Sequence, residues 1–130
     1  MEEQIEVILE FMNEEKFSVN DLLITEGKPN DRIFFIIEGQ VEVLKKDVIL
    51  THFREGDAFG EMEVLDVMPA AASIKAITPV TVMTMSNKSL RDVYKKDIYA
   101  FNLVLMNLAR DLVRRLRKMD ELIAASAQVS

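Results

Sequence analysis

The sequence contains no cysteine and no tryptophan, and His52 is its single histidine. Without cysteine there is no disulfide framework, no CxxC redox site and no cysteine nucleophile. One isolated histidine gives no basis for a nitrogen-ligated metal site, so we expect none. Common enzyme motifs are missing too: there is no Ser-His-Asp arrangement, no G-x-x-x-x-G-K-[ST] loop and no HExxH helix. We therefore expect a protein that is not an enzyme and requires no cofactor.

Acidic residues outnumber basic ones. Sixteen lysines and arginines against 22 acidic residues give a formal charge of −6, which argues against a nucleic-acid-binding surface over the whole domain. The longest uncharged run near the C-terminus, residues 98–109, is too short to span a bilayer. The start, Met1-Glu2-Glu3, is unlike the basic region of a signal peptide. We expect a cytoplasmic protein that contacts neither nucleic acid nor membrane directly.

The central part of the chain, from about residue 17 to 85, has the pattern of short β-strands. Runs rich in Ile, Val, Phe and Thr are separated by Gly, Pro, Asn and Asp, and they cover residues 33–37, 41–44, 48–53, 73–77 and 80–85. No long crossover helices lie between them, so the pairing should be antiparallel. The predicted fold is mainly β with flanking helices: an antiparallel β-roll or jelly roll of about eight short strands in a single domain over 1–130.

Helices are predicted on both sides of this roll. Ile5, Ile8, Leu9 and Met12 have helical spacing and indicate a short N-terminal helix. The C-terminal helical part covers about 89–125, with a turn at 86–89, a short helix over 90–95 and a long one over roughly 97–125.

The long helix carries a stripe with the three- and four-residue spacing typical of a coiled coil. The stripe consists of Ile98, Phe101, Leu105, Leu108, Leu112, Arg115, Met119 and Leu122. Further apolar residues, such as Val104 and Met106, make the helix apolar on more than one face. We expect one face to cover the roll and the other to meet the same helix of a second subunit, although packing within one chain would also explain a stripe. The expected homodimer interface consists of Phe101, Leu105, Leu108, Leu112 and Met119.

Residues 56–73, GDAFGEMEVLDVMPAAAS, combine features suited to binding a sugar and a phosphate. Gly60 allows a ligand to approach the backbone closely, and the Glu61 carboxylate can accept hydrogen bonds from two sugar hydroxyls. Small side chains at Ala70, Ala71 and Ala72 leave main-chain N–H groups accessible to an anion.

This stretch resembles the phosphate-binding cassette of cyclic-nucleotide-binding domains, as in catabolite activator proteins and protein kinase A regulatory subunits. The pattern of that family is close to F-G-E-[LM]-A-L-[LM], followed by P-R-A-A-[TS]. Here the chain reads FGEMEVL over residues 59–65 and PAAAS over 69–73. Residues 25–43 are similar to the first half of the family, E-G…D…[FY]-x-[IV]-x-x-G-x-V-x-V. The resemblance covers nearly the whole chain, without the DNA-binding domain of the activator proteins.

The resemblance implies a site for cyclic AMP or cyclic GMP. The implied ligand-binding residues are Phe59, Gly60, Glu61, Met62, Ala70, Ala71, Ala72 and Ser73. Glu61 falls on the ribose-binding glutamate of the family, and Ala71 falls on the residue whose backbone N–H meets the phosphate. The implied pocket for the base is lined by Val43, Leu50, Phe53, Arg115 and Met119.

Two positions depart from the family pattern. Ala70 stands where the family has arginine, and Glu63 stands where it usually has a small apolar residue. A charge-assisted hydrogen bond is worth about 1.5–3 kcal/mol, so the missing arginine implies roughly tenfold to thousandfold weaker binding. The chain is then either a nucleotide sensor with a cation from Arg54, Lys75 or Arg115, or a degenerate scaffold or dimerisation module that acts through an effector protein.

Overall fold

In the computed structural model, the described residues are 2–61, 64 and 68–129. The elements in chain order are α1 (Glu2–Glu10), β1 (Asn13–Phe17), β2 (Leu22–Ile24), β3 (Arg32–Glu38), β4 (Val41–Lys45), β5 (Val48–Phe53), β6 (Ala58–Phe59), β7 (Ser73–Ala76), β8 (Val80–Ser86), α2 (Asn87–Lys96) and α3 (Ile98–Val129). The strands form two antiparallel four-stranded sheets, in the orders β1-β8-β3-β6 and β2-β7-β4-β5. This confirms the predicted antiparallel β-roll with an N-terminal helix and a long C-terminal helix.

Three strands lie outside the apolar runs that the sequence showed. Strand β1, with the sequence NEEKF, begins before residue 17 and lies at the edge of its sheet, where it pairs with β8 on one side. An edge strand needs few apolar side chains because only part of it is covered. Strands β2 and β6 have three and two residues, which is too short for a periodic pattern to be visible.

The sheet that contains β3 is buried on both faces. Phe34 and Ile36 face a core between the two sheets, while Ile33 belongs to a second core between this sheet and the helices. Successive residues of a strand point to opposite faces, so an uninterrupted apolar run fits a strand that is covered on both sides.

Among the described residues, no helix combines the length and the hydrophobicity needed for a membrane span.

Helices α2 and α3 each begin at a residue whose polar side chain accepts hydrogen bonds from the first turn. Ser86 is the N-cap of α2, and its hydroxyl accepts a hydrogen bond from the Ser89 amide at 3.0 Å. The predicted turn at 86–89 is therefore the first turn of the helix. Asp97 separates α2 from α3, and its carboxylate accepts hydrogen bonds from the amides of Tyr99 and Ala100 at 3.0 and 3.3 Å.

Helix α3 buries a face that coincides only in part with the predicted coiled-coil stripe. Ala100, Val104 and Leu108, spaced four residues apart, are 0%, 4% and 3% exposed and belong to the core against the sheet and the other helices. Phe101 packs against the same core and stacks edge-to-face on Tyr94 at 5.2 Å. Leu108 and Phe101 thus pack within their own chain, where the sequence analysis expected the dimer interface.

The remaining residues of that expected interface are placed as follows. Leu105 is half-buried, and the side chains of Leu112 and Met119 lie outside the described part of the helix. Met106, one position further along the helix than Leu105, is 59% exposed. The free surface of α3 is therefore on the side of Met106.

We expect Leu108→Ala to lower the free energy of unfolding by about 2–5 kcal/mol, because it opens a cavity in the core beneath the helices. The matched control is Asn102→Ala, which shortens an exposed side chain of the same helix and should cost less than about 1 kcal/mol. Urea unfolding of both variants measures the difference. Equal losses would contradict the assignment of Leu108 to the core.

Candidate functional site

The cassette begins where β6 ends. Phe59 is buried and stacks on Phe34, with ring centroids 4.9 Å apart and planes inclined by 7°, and on Phe53 at 6.0 Å. Gly60 follows with a φ of +90°, and a Cβ at this position would lie 2.5 Å from the carbonyl oxygen of Arg32. Since real Cβ atoms do not approach backbone atoms so closely, only glycine fits here.

Glu61 and Val64 lie in a helical turn that follows Gly60. The Val64 amide donates to the Gly60 carbonyl at 3.4 Å, which is the bond expected between residues four apart in a helix. Glu61 is 2% exposed, although glutamate is almost never fully buried unless it has partners. Val64 is buried in the core beneath the helices. Met62 and Glu63, the other positions noted in this turn, lie outside the described residues.

Ala70 marks the return of the cassette to the roll. Its carbonyl accepts a hydrogen bond from the Gly27 amide at 2.8 Å, and its amide donates to the Lys28 carbonyl at 2.9 Å. Gly27 and Lys28 thus lie together opposite the single residue Ala70, and Gly27 has a φ of +82°. This is the arrangement of a β-bulge with glycine in its first position. The Ala70 side chain is 4% exposed and packs in the core between the sheets.

The three residues after Ala70 lead into β7. Ala71 is exposed, and Ala72 and Ser73 are half-buried. The Ser73 hydroxyl accepts a hydrogen bond from the Glu26 amide at 2.9 Å. Within the described part of the chain, the amides of Ala71 and Ala72 donate to no backbone or side-chain acceptor. Two main-chain donors are therefore available beside small side chains, as the sequence predicted for an anion.

The β2–β3 loop, residues 25–31, holds both ends of the cassette, and the sequence analysis did not include it in the site. At one end, the Asn30 side-chain amide donates to the carbonyls of Arg32 at 2.8 Å and Gly60 at 3.4 Å. At the other end, Gly27 and Lys28 hold Ala70 as described above. The Gly, Pro and Asn residues of TEGKPND mark a turn, which was the available signal.

The expected base pocket is only partly assembled by the structure. Val43 is 8% exposed and faces the core between the sheets, and Phe53 is half-buried against that core. Leu50, in contrast, is 57% exposed. The β4–β5 register pairs Val43 with Thr51 and Leu44 with Ile49, so Leu50 is the extra residue of a bulge and does not line the interior. The side chains of Arg115 and Met119 lie outside the described residues.

Two of the proposed replacement cations, Lys75 and Arg54, have side chains in the described part of the chain. The Lys75 ammonium is 3.5 Å from a Glu42 carboxylate oxygen, on the face of β7 opposite to the buried Ile74. The turn that contains Arg54 is bonded to Ile36 through Gly56. Ile36 is two residues along β3 from Phe34, which pairs with Phe59 at the start of the cassette, a separation of about 7 Å since strands rise about 3.3 Å per residue.

No group of three or more His, Cys, Asp or Glu among the described residues could hold a metal ion.

A cleft of about 310 Å³ lies where the β2–β3 loop, the cassette and the start of α2 meet, lined by Pro29, Asn30, Asp31, Val64, Met68, Pro69 and Asn87. The cassette therefore adjoins the helices as well as the roll.

Residues 14–97 match the sequence model of the family described as cyclic nucleotide-binding domain. The chain belongs to this family. It is 34% identical over 102 residues to a cAMP-dependent protein kinase regulatory subunit of Aspergillus fumigatus, covering 77% of this chain and 22% of that protein. It is 28% identical over 110 residues to cGMP-dependent protein kinase 2 of Mus musculus, covering 85% of this chain and 14% of that protein.

The fold is also similar to that of a solved cyclic nucleotide-binding domain from Methylobacillus flagellatus. The TM-score is 0.89 at 27% identity, and the match covers 97% of this chain and 74% of that chain. This chain thus spans only a small part of the Aspergillus regulatory subunit and of the mouse kinase, but most of the solved bacterial chain.

We expect Gly60→Ala to destabilise the protein by about 3 kcal/mol or more, because the new Cβ meets the Arg32 carbonyl and the positive φ disfavours alanine. The matched control is Gly56→Ala, with a φ of +88° and no atom within 4 Å of the added Cβ, which should cost only about 1–2 kcal/mol. Urea unfolding separates the two. Equal losses would show that the close approach at Gly60 does not constrain the turn.

Proposed function

We propose that this domain is a regulatory module that binds cyclic AMP or cyclic GMP at residues 59–73. The observation that carries the proposal is that one cassette contains both a buried carboxylate, Glu61, and two uncommitted main-chain donors, the amides of Ala71 and Ala72. The similar proteins are a regulatory subunit named for cAMP and a kinase named for cGMP. The base preference is left open between these two nucleotides.

Each part of the cassette has one role in this proposal. Glu61 accepts hydrogen bonds from the ribose, and Gly60 lets the ligand approach the backbone. The amides of Ala71 and Ala72 donate to the cyclic phosphate. Phe59 and Ser73 fix the two ends of the segment, and Ala70 joins it to the β2–β3 loop. Val43 and Phe53 line the base side, and Arg115 and Met119 complete it from α3.

The output of the module is proposed to be a movement of the helices. Val64, in the cassette, shares a core with Leu90 of α2 and Leu108 of α3. A ligand that binds one conformation of the cassette more tightly than another shifts the equilibrium between these conformations. The size of that shift is set by the difference between the two affinities, and the shared core moves with the cassette. The module then acts on an effector, in the cytoplasm, and itself performs no chemistry.

Titration calorimetry with cyclic AMP and cyclic GMP up to millimolar concentration tests this function. We expect saturable binding by the wild type, and binding at least about tenfold tighter by Ala70→Arg, because a guanidinium adds a bidentate charge-assisted contact to the phosphate. No heat at millimolar nucleotide from either protein would contradict the proposal and favour a degenerate scaffold.

The variant needs a stability control, because Ala70 is 4% exposed and an arginine there enters a core position. Circular dichroism must show that Ala70→Arg remains folded. A folded variant with unchanged affinity would show that a cation at position 70 does not reach the ligand. The buried Ala76, also in this core, serves as a comparison: Ala76→Arg should lose stability and gain no affinity.

We also propose a homodimer through the C-terminal helix, on the side of α3 that faces α1. Ile5, Leu9 and Met106 are 45%, 53% and 59% exposed, and they line a groove of about 360 Å³ between the two helices. Exposed contiguous apolar surface marks an interaction site. Exposed glutamates on α1, such as Glu6, and exposed arginines on α3, such as Arg114, give the surface charges of both signs, which suits a second copy.

We expect Met106→Glu to convert the dimer to a monomer in sedimentation equilibrium without loss of fold, because the side chain is exposed within one chain. The control Asn102→Glu places the same charge on an exposed position of α3 that does not line the groove and should leave the mass unchanged. A wild-type monomer, or a Met106→Glu dimer, would overturn the proposed interface.

A further inference from the structure

The main chain places Lys28 beside the proposed phosphate donors. Its carbonyl accepts the hydrogen bond from the Ala70 amide at 2.9 Å, and Ala71 and Ala72 follow directly. Paired residues of neighbouring strands have Cα atoms about 5 Å apart, and a lysine carries its ammonium on a flexible four-carbon stem roughly 6 Å from its Cα. The ammonium of Lys28 can therefore reach an anion that is bound to these amides.

Lys28 is also available for such a contact. It is exposed, and in the described part of the chain its side chain forms no ion pair or hydrogen bond. Arg32, Lys75 and Arg114, in contrast, are each paired with a carboxylate: Glu15, Glu42 and Asp111 respectively. An exposed, unpaired lysine next to two uncommitted amides and small side chains forms the elements of an anion site.

We propose that Lys28 supplies the positive charge for the cyclic phosphate, so that the cation comes from the β2–β3 loop while position 70 is alanine. The inference rests on the proposed nucleotide binding. In the bulge, Gly27 and Lys28 together oppose Ala70, so the loop that fixes the end of the cassette also carries the charge. A lysine acts here as a point charge and makes no bidentate contact, so an arginine added at position 70 would still contribute a contact that Lys28 does not make.

Calorimetry with cyclic AMP on the wild type, Lys28→Gln and Lys28→Arg tests the inference. We expect Lys28→Gln to weaken binding about tenfold to hundredfold and Lys28→Arg to stay within about threefold of the wild type. Adenosine, which lacks the phosphate, serves as a second probe. Its affinity should change by less than about twofold in Lys28→Gln, whereas damage to the cassette itself would weaken both ligands.

Two matched controls locate the charge. Lys46 is an exposed lysine whose amide is bonded to the Glu26 carboxylate of the same loop at 3.0 Å, and Lys46→Gln should bind like the wild type. Arg115→Gln tests the cation that the sequence analysis named on α3. A loss in Arg115→Gln without a loss in Lys28→Gln would overturn the inference.

The remaining outcomes separate this inference from the proposed function. If the wild type binds cyclic AMP and Lys28→Gln binds equally well, Lys28 is not the phosphate cation, but nucleotide binding stands. If the wild type binds neither cyclic AMP nor cyclic GMP at millimolar concentration, both proposals fail together.

Discussion

The position of the cassette depends on the two backbone hydrogen bonds between Ala70 and the β2–β3 loop. The same loop holds Gly60 through the Asn30 side chain, so both ends of the segment from Gly60 to Ala70 rest on one support. Ala71 and Ala72 directly follow Ala70, the residue that the bulge at Gly27 and Lys28 holds. A binding site that uses main-chain donors therefore depends on a loop that need not itself touch the ribose.

Strand β3 connects this site to the rest of the molecule because both of its faces are buried. On one face Phe34 stacks on Phe59, immediately before Gly60, at 4.9 Å. On the other face Ile33 shares a core with Val64 and Leu108. Packed cores respond to displacement by discrete rearrangement rather than by gradual deformation. A displacement of the cassette thus changes the packing in both cores, the one between the sheets and the one beneath the helices.

The sequence predicted those parts of the fold whose residues carry their own signal. Apolar runs gave β3, β4, β5, β7 and β8, but β1 is a charged edge strand and β6 has two residues, so neither produced a pattern. In the site, Gly60 and Glu61 were visible as a local motif. The bond from the Glu26 amide to the Ser73 hydroxyl joins residues 47 positions apart, and a backbone donor leaves no trace in residue type. The role of the β2–β3 loop in holding the cassette was missed for that reason.

Helix α3 shows why an apolar stripe does not identify its partner. The predicted stripe repeats every three or four residues, whereas the buried residues Ala100, Val104 and Leu108 follow a four-residue spacing, so the stripe crosses from the buried face to its border. The exposed apolar side chains of the helix include Met106, which is outside the stripe, as well as Ile98 at the start of the stripe. One rigid helix then contacts the core of the cassette through Leu108 and presents Met106 on another side. Such a helix couples its two sides only if the ligand and the partner each bind one position of the helix more tightly than another, which makes their binding mutually dependent.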